Sequence, residues 1–218
     1  MARKITAHRK LKVRALLADP REVVREVLAR RADVGLVDVQ FIRGQTDLVA
    51  ESMPRHDFVM AARPSHPLAG RAGLRLAEIL AFPMASTLIV NEAVTAAVAS
   101  EDASDLLDAD HGELIPAIHV NSYALARQIA CDTDALVPGT ARMLAPELNA
   151  GRLVCLDFHI PGLRTNYAII HRQDRSLSPA ARAFIDLVRA VEAEVIATEA
   201  HAGTPARRRV RSRHPAVK

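Results

Sequence analysis

The sequence predicts an α/β protein with mostly parallel sheets, and three observations carry that prediction. Apolar runs of strand length alternate with segments of helical periodicity along most of the chain. Near the N-terminus a strand–helix–strand pattern closes within about 30 residues, the span of a βαβ unit, whose two strands should run parallel. Half of the residues are hydrophobic and a quarter are charged, which is globular composition. At 218 residues the chain can form one ordinary domain or two small lobes.

The elements follow in order. Residues 10–17 read as a strand, with Leu11, Val13 and Ala15 on one face. It stops at Asp19-Pro20, where the helix signals are complete. Asp19 can cap, Pro20 fits the first helical position, and Glu22 can close a capping box. Val23, Val24, Val27 and Leu28 then form one apolar stripe, and residues 32–38 follow as a buried strand. Residues 47–53 and 57–62 are strand-like, 63–70 is turn chemistry, and 74–80 is a short helix ended by Phe82-Pro83. Strands are expected at 84–90, 115–120, 135–137, 153–158 and 166–171. Helices are expected after residue 91, after Asn121-Ser122 and from residue 140 to about 150. Ser178-Pro179 opens a long helix whose Phe184, Leu187, Val188, Val191 and Val195 share one face.

Composition narrows the function classes. With no Trp and 3% aromatics the core must be aliphatic, and a nucleic-acid surface built on base stacking is disfavoured. No apolar run approaches a membrane span, and the charged start lacks the apolar stretch of a secretory signal. Cys131 and Cys155 are too few for a disulfide framework and read as small core residues, so a reduced, cytoplasmic protein is expected. The net charge of +4 belongs to the ends. Residues 1–14 and 201–218 each carry six Lys/Arg and no acid, leaving 17 bases against 25 acids between them. Residues 200–218 are expected to be a basic disordered tail.

No nucleophile elbow, phosphate loop, zinc helix or dinucleotide turn is present, and no His pair stands at metal-ligand spacing. His66, before a Pro in a turn, reads as exposed. The expectation is a protein that is not an enzyme, with no cofactor and no metal. What remains is a cleft at the C-terminal ends of strands, where α/β sheets bind ligands. Thr87, Asn121-Ser122 and Pro138-Gly139-Thr140 stand at such ends and offer hydroxyls or backbone N–H groups. The alternative is that these residues only cap helices, as Asn, Ser and Thr often do.

The order of elements resembles the effector-binding (substrate-binding) domain of LysR-type transcriptional regulators. The matching pieces are residues 27–37, the turn at 63–71, Leu76-Ala77-Glu78-Ile79-Leu80 before Phe82-Pro83, Ala135-Leu136-Val137-Pro138, Gly151-Arg152-Leu153-Val154 and the run at 177–185. The resemblance implies a periplasmic-binding-protein type II-like fold, two α/β subdomains joined by two crossovers, with a small effector in the cleft. On that frame subdomain I comprises 1–85 plus 174–199 and subdomain II 86–173, with crossovers near 85–87 and 172–174. Thr87, Asn121, Ser122, Pro138, Gly139 and Thr140 are then the expected effector-binding residues.

Three departures stand out. Nothing here corresponds to the family's winged helix-turn-helix, and the effector domain's first strand and helix look missing, so the first subdomain reads as truncated. The family's Gly-x-Gly before the pocket Pro is replaced by Cys131-Asp132-Thr133-Asp134. The resemblance implies an effector-sensing module in transcription regulation, binding a small anionic molecule and forming a homodimer or higher homo-oligomer. It would meet DNA only through a helix-turn-helix outside this chain, and no membrane. The alternatives are a stand-alone solute-binding protein of the same fold, or a non-functional remnant of a regulator.

Overall fold

The computed structural model describes residues 12–87, 92–101, 106–108 and 114–202. In chain order its elements are α1 (Pro20–Leu28), β1 (Gly35–Asp38), β2 (Leu48–Ser52), β3 (Phe58–Ala62), α2 (Leu76–Leu80), β4 (Ala85–Ser86), α3 (Glu92–Ser100), β5 (Ile118–His119), α4 (Tyr123–Asp132), β6 (Val137–Thr140), α5 (Ala141–Asn149), β7 (Val154–Cys155), β8 (Tyr167–Arg172) and α6 (Pro179–Ala202).

Helix α1 starts where its capping signals predict. The Asp19 carboxylate accepts the Arg21 N–H at 2.8 Å, with Pro20 in the first turn. Its apolar stripe packs on a three-stranded sheet of order β1-β8-β2, Val24 and Val27 meeting Val37, Leu48, Ala168 and Ile170. Between Ala168 and Ile170 on the central strand, Ile169 points to the opposite face, where Ile185 and Val188 of α6 cover it. Gly35 lets α1 lie close, since a Cβ there would come within 2.9 Å of Val23 and 3.1 Å of Val27. Helix α6 is capped by Ser178, whose hydroxyl accepts the Ala181 N–H at 3.1 Å.

The second lobe is built the same way around β3. Strands β6 and β7 flank it, β4 and β5 pair alongside, and the Met84–Leu136 bridge joins the two groups. Across that bridge the Ala85 N–H donates to the Leu136 carbonyl at 2.8 Å, and the Leu136 N–H to the Pro83 carbonyl at 2.8 Å. Met60 and Ala62 face one core with Ile79, Val98 and Leu136, while Ala61 faces another with Ala126, Val137 and Leu144.

Several expectations are corrected. Residues 12–19 form no strand, and Leu16 and Leu17 are 59% and 75% exposed. Among the described residues they pair with no strand, and an extended segment outside a sheet has no ladder bonds to hold it. The N-terminal βαβ unit is therefore absent among the described residues, where most pairing is antiparallel. Strands β1 and β2 run antiparallel to β8, β6 and β7 run antiparallel to β3, and β4–β5 is parallel.

Sheet membership also moves the expected lobe boundaries. Residues 58–62 belong to the second lobe, and Tyr167–Arg172 is the central strand of the first. The chain thus crosses at 53–57 and returns at 163–166, not near 85–87 and 172–174. The crossovers pair with each other: the His56 N–H donates to the Thr165 hydroxyl at 2.8 Å, and the Thr165 N–H to the His56 carbonyl at 2.9 Å. An apolar strand has no mark of which sheet receives it, so the frame drawn from the resemblance could not locate the crossings. Residues 200–202, assigned to the tail, still belong to α6; residues 203–218 and parts of the expected 10–17 and 84–90 strands lie outside the described residues. His66 is buried, its ring 4.4 Å from Phe82 and its Nδ1 accepting the Leu68 N–H at 3.0 Å, so this turn is folded onto the core.

Candidate functional site

A cavity of about 540 Å³ lies between the two sheets, a size that suits a small ligand. Leu36, Asp38 and Tyr167 line it from the first lobe, Phe58, Met60 and Ser86 from the second, and Arg164 and Thr165 from the returning crossover. The parallel pairing of β4 with β5 brings the C-terminal ends of both strands to the same side. Thr87, which follows β4, and Asn121, which follows β5, therefore reach the same wall.

The six expected site residues divide evenly. Thr87, Asn121 and Pro138 line the cavity, whereas Ser122, Gly139 and Thr140 do not. Pro138-Gly139-Thr140 is no loop after a strand. It is part of β6 itself, buried throughout and paired in register with residues 58–60. Thr140 is 5% exposed, and its hydroxyl accepts the Met143 N–H at 3.3 Å, so it caps α5. Ser122 occupies the N-cap position of α4 without a side-chain capping bond.

Gly139 has a packing role that its sequence context concealed. A Cβ there would stand 1.8 Å from the Tyr123 hydroxyl, which crosses β6 to donate to the Pro138 carbonyl at 2.7 Å. Burial pushes the Tyr123 phenol well above its ordinary pKa, keeping it a neutral donor. Tyr123 itself lines the cavity, with His119 beside it.

Sequence reasoning also missed the aromatic wall. The chain has five Phe and two Tyr. Phe41, Phe58, Tyr123, Phe158 and Tyr167, five of those seven, line this one cavity. Scarcity was the available signal, because rings so few and so scattered gather only through the fold.

The charged groups at the wall are mostly acidic. Burial raises the pKa of Asp38, partly offset by the Gln40 N–H that its carboxylate accepts at 3.0 Å. Asp19 and Glu22 line the same side. Arg164 is the lysine- or arginine-type cation among the described lining residues, and its Nε donates to the Asp57 carboxylate at 2.5 Å. That bond holds Asp57 below the ordinary carboxylate range. Away from the cavity, burial raises the pKa of both thiols, Cys131 and Cys155.

Comparisons with known proteins place this architecture. The solved regulatory domain of CcmR from Synechocystis PCC6803, in complex with 2-PG, aligns with a TM-score of 0.60 at 16% identity, over 88% of both chains. The effector-binding domain of QuiR, in complex with shikimate, aligns at 0.56 with 13% identity, over 84% of this chain and 82% of that one. At such identity these likenesses bear on the fold. A curated relative, the SDS degradation transcriptional activation protein of Pseudomonas sp. (strain ATCC 19151), is 29% identical over 158 residues, 70% of this chain. The chain spans about half the length of that relative, 48%. The LysR substrate binding domain matches residues 1–193. With nearly nine-tenths of its length so matched, this chain belongs to the family of LysR substrate-binding domains.

Proposed function

We propose that the chain is the effector-sensing module of a transcriptional regulator, acting by binding and not by catalysis. The carrying observation is a cavity walled by both sheets and by one of the crossovers that join them. A ligand touching both lobes binds one arrangement of them better than another, and that difference in affinity is the signal. Thr87 and Asn121 supply the polar contacts from the second lobe, Asp38 and the Arg164–Asp57 pair those nearest the first. Ser122, whose hydroxyl caps nothing, remains within this proposal as a neighbour of Asn121.

The relatives support this reading. One is named for activating transcription in SDS degradation, and two neighbours of the same fold hold 2-PG and shikimate. The module would work as a homo-oligomer in the cytoplasm, meeting DNA through a helix-turn-helix outside this chain. Among the described residues no helix is long and apolar enough to cross a membrane.

Hydrogen exchange tests the coupling. Shikimate, 2-PG and a panel of small acids and alcohols are screened for a rise in Tm, and exchange is followed with any binder. Slowed exchange at both 53–57 and 163–166 is expected. A binder that stabilises the protein while leaving both crossovers unchanged would overturn the proposal.

A further inference from the structure

The walls of the cavity say more about its ligand than its position does. We infer that the ligand is a straight-chain amphiphile, an aliphatic chain carrying one oxygen-bearing head group. This rests on reading the cavity as the effector site. Three observations converge on it.

The first is the wall itself. Phe41, Phe58, Met84, Phe158, Ile160 and Leu163 contribute apolar surface to it. A compact, multiply hydroxylated or multiply charged ligand would leave its polar groups unpaired against these side chains, at a cost its few hydrogen bonds do not offset. A methylene chain gains from the same contact.

The second is a local group of uncharged polar side chains at one end of the wall. Ser86, Thr87 and Asn121 cluster at the parallel ends of β4 and β5, enough to satisfy one head group. The third is charge. Asp19, Glu22 and Asp38 bring carboxylates to the wall, and the Arg164 guanidinium is engaged by Asp57. A polyanion would meet more repulsion than attraction there. One head group, neutral or singly charged, fits beside Asn121.

Calorimetry on the whole chain, below micelle-forming concentrations, tests the inference. The probes are hexanoate, octanoate and decanoate, the matching 1-alkanols, and shikimate as a compact polar ligand. Each buried methylene contributes about 0.8 kcal/mol, so affinity should rise about fourfold per carbon until the cavity is filled, at one site per chain. Alkanols binding as tightly as the acids would assign a neutral head, and weaker alkanols an oxyanion head.

Leu36→Glu, at a lining position already 42% exposed, should flatten the chain-length dependence without unfolding the protein. Asn121→Ala should weaken every chain length by a similar factor. Affinity independent of chain length overturns the inference, as does multi-site binding unmoved by Leu36→Glu. If shikimate binds and Asn121→Ala weakens it while the alkyl series does not bind, the amphiphile is wrong and the effector site stands. If no probe responds to either substitution, the reading of the cavity as a site fails.

Discussion

At the scale of single residues, positions 139 and 140 show how one motif can serve packing where its chemistry suggests binding. A Gly beside a Thr at the end of a strand offers a backbone N–H and a hydroxyl, the usual materials of an anion site. Here the Tyr123 ring occupies the space that Gly139 leaves, and the Thr140 hydroxyl is spent on α5. Gly139→Ala should therefore destabilise the protein by about 2 kcal/mol, since the added methyl must displace Tyr123 from a buried site. Urea unfolding measures it, and a wild-type midpoint would show that Tyr123 yields without cost. Thr140→Ala should cost about 1 kcal/mol through the lost cap, with ligand affinity unchanged. A tenfold loss of affinity in Thr140→Ala with an unchanged urea midpoint would return Thr140 to the site.

At the scale of elements, the second lobe is held by a clamp between α4 and α5. Arg127 of α4 reaches the Glu147 carboxylate at 2.8 Å and the Met143 carbonyl at 3.1 Å, both on α5. Arg152, just past α5, donates to the other Glu147 oxygen at 3.2 Å. Glu147 is 7% exposed, so its removal strands a guanidinium in a poorly hydrated place. Glu147→Ala should cost about 2 kcal/mol in urea unfolding, more than a surface pair would. The Arg127→Met, Glu147→Leu double variant should lose less than that single change, because no charge is left unpaired. A double variant as unstable as the single one would show that the clamp works through packing and not charge.

At the scale of the whole molecule, arginine–carboxylate pairs tie distant segments together and make stability depend on acid. Arg172 and Arg30 hold Asp174 down at about 2, Arg189 lowers Glu51, and Arg164 lowers Asp57. A carboxylate whose pKa falls on folding contributes stability above its unfolded pKa and loses it as pH drops through the folded value. The ordinary values here are 3.8 for Asp and 4.5 for Glu. Stability should thus hold from neutral pH to about 5 and decline from there toward pH 2. Asp38 works in the opposite sense, its raised pKa favouring the protonated form in the folded state, so it softens the upper end of that decline. These pairs are exposed, so added salt should shrink the effect. Thermal unfolding across pH 2–7 checks the window, and Asp174→Asn should flatten its acid end. A Tm unchanged between pH 5 and pH 2.5 would show that these pairs contribute nothing.

The sequence by itself determined the class of the fold and most of its local elements, because these rest on short-range physics. Asp19-Pro20 starts α1, Ser178 starts α6, and the apolar stripe of each helix is readable from residues three and four apart. The family too was legible, since six short pieces in order survive where no single one is distinctive. Tertiary structure alone decided which strands pair. Phe58–Ala62 goes to the second sheet and Tyr167–Arg172 to the first, because each finds there a partner edge and a helix to cover it. It also decided the strand directions and the fate of residues 12–19, whose strand-like pattern joins no ladder among the described residues. The candidate site was half legible. Thr87, Asn121 and Pro138 carry a local signal as residues at strand ends, whereas the aromatic wall draws on positions as distant as Phe41 and Tyr167. No spacing links such residues, and only the packing of two sheets brings their side chains around one cavity.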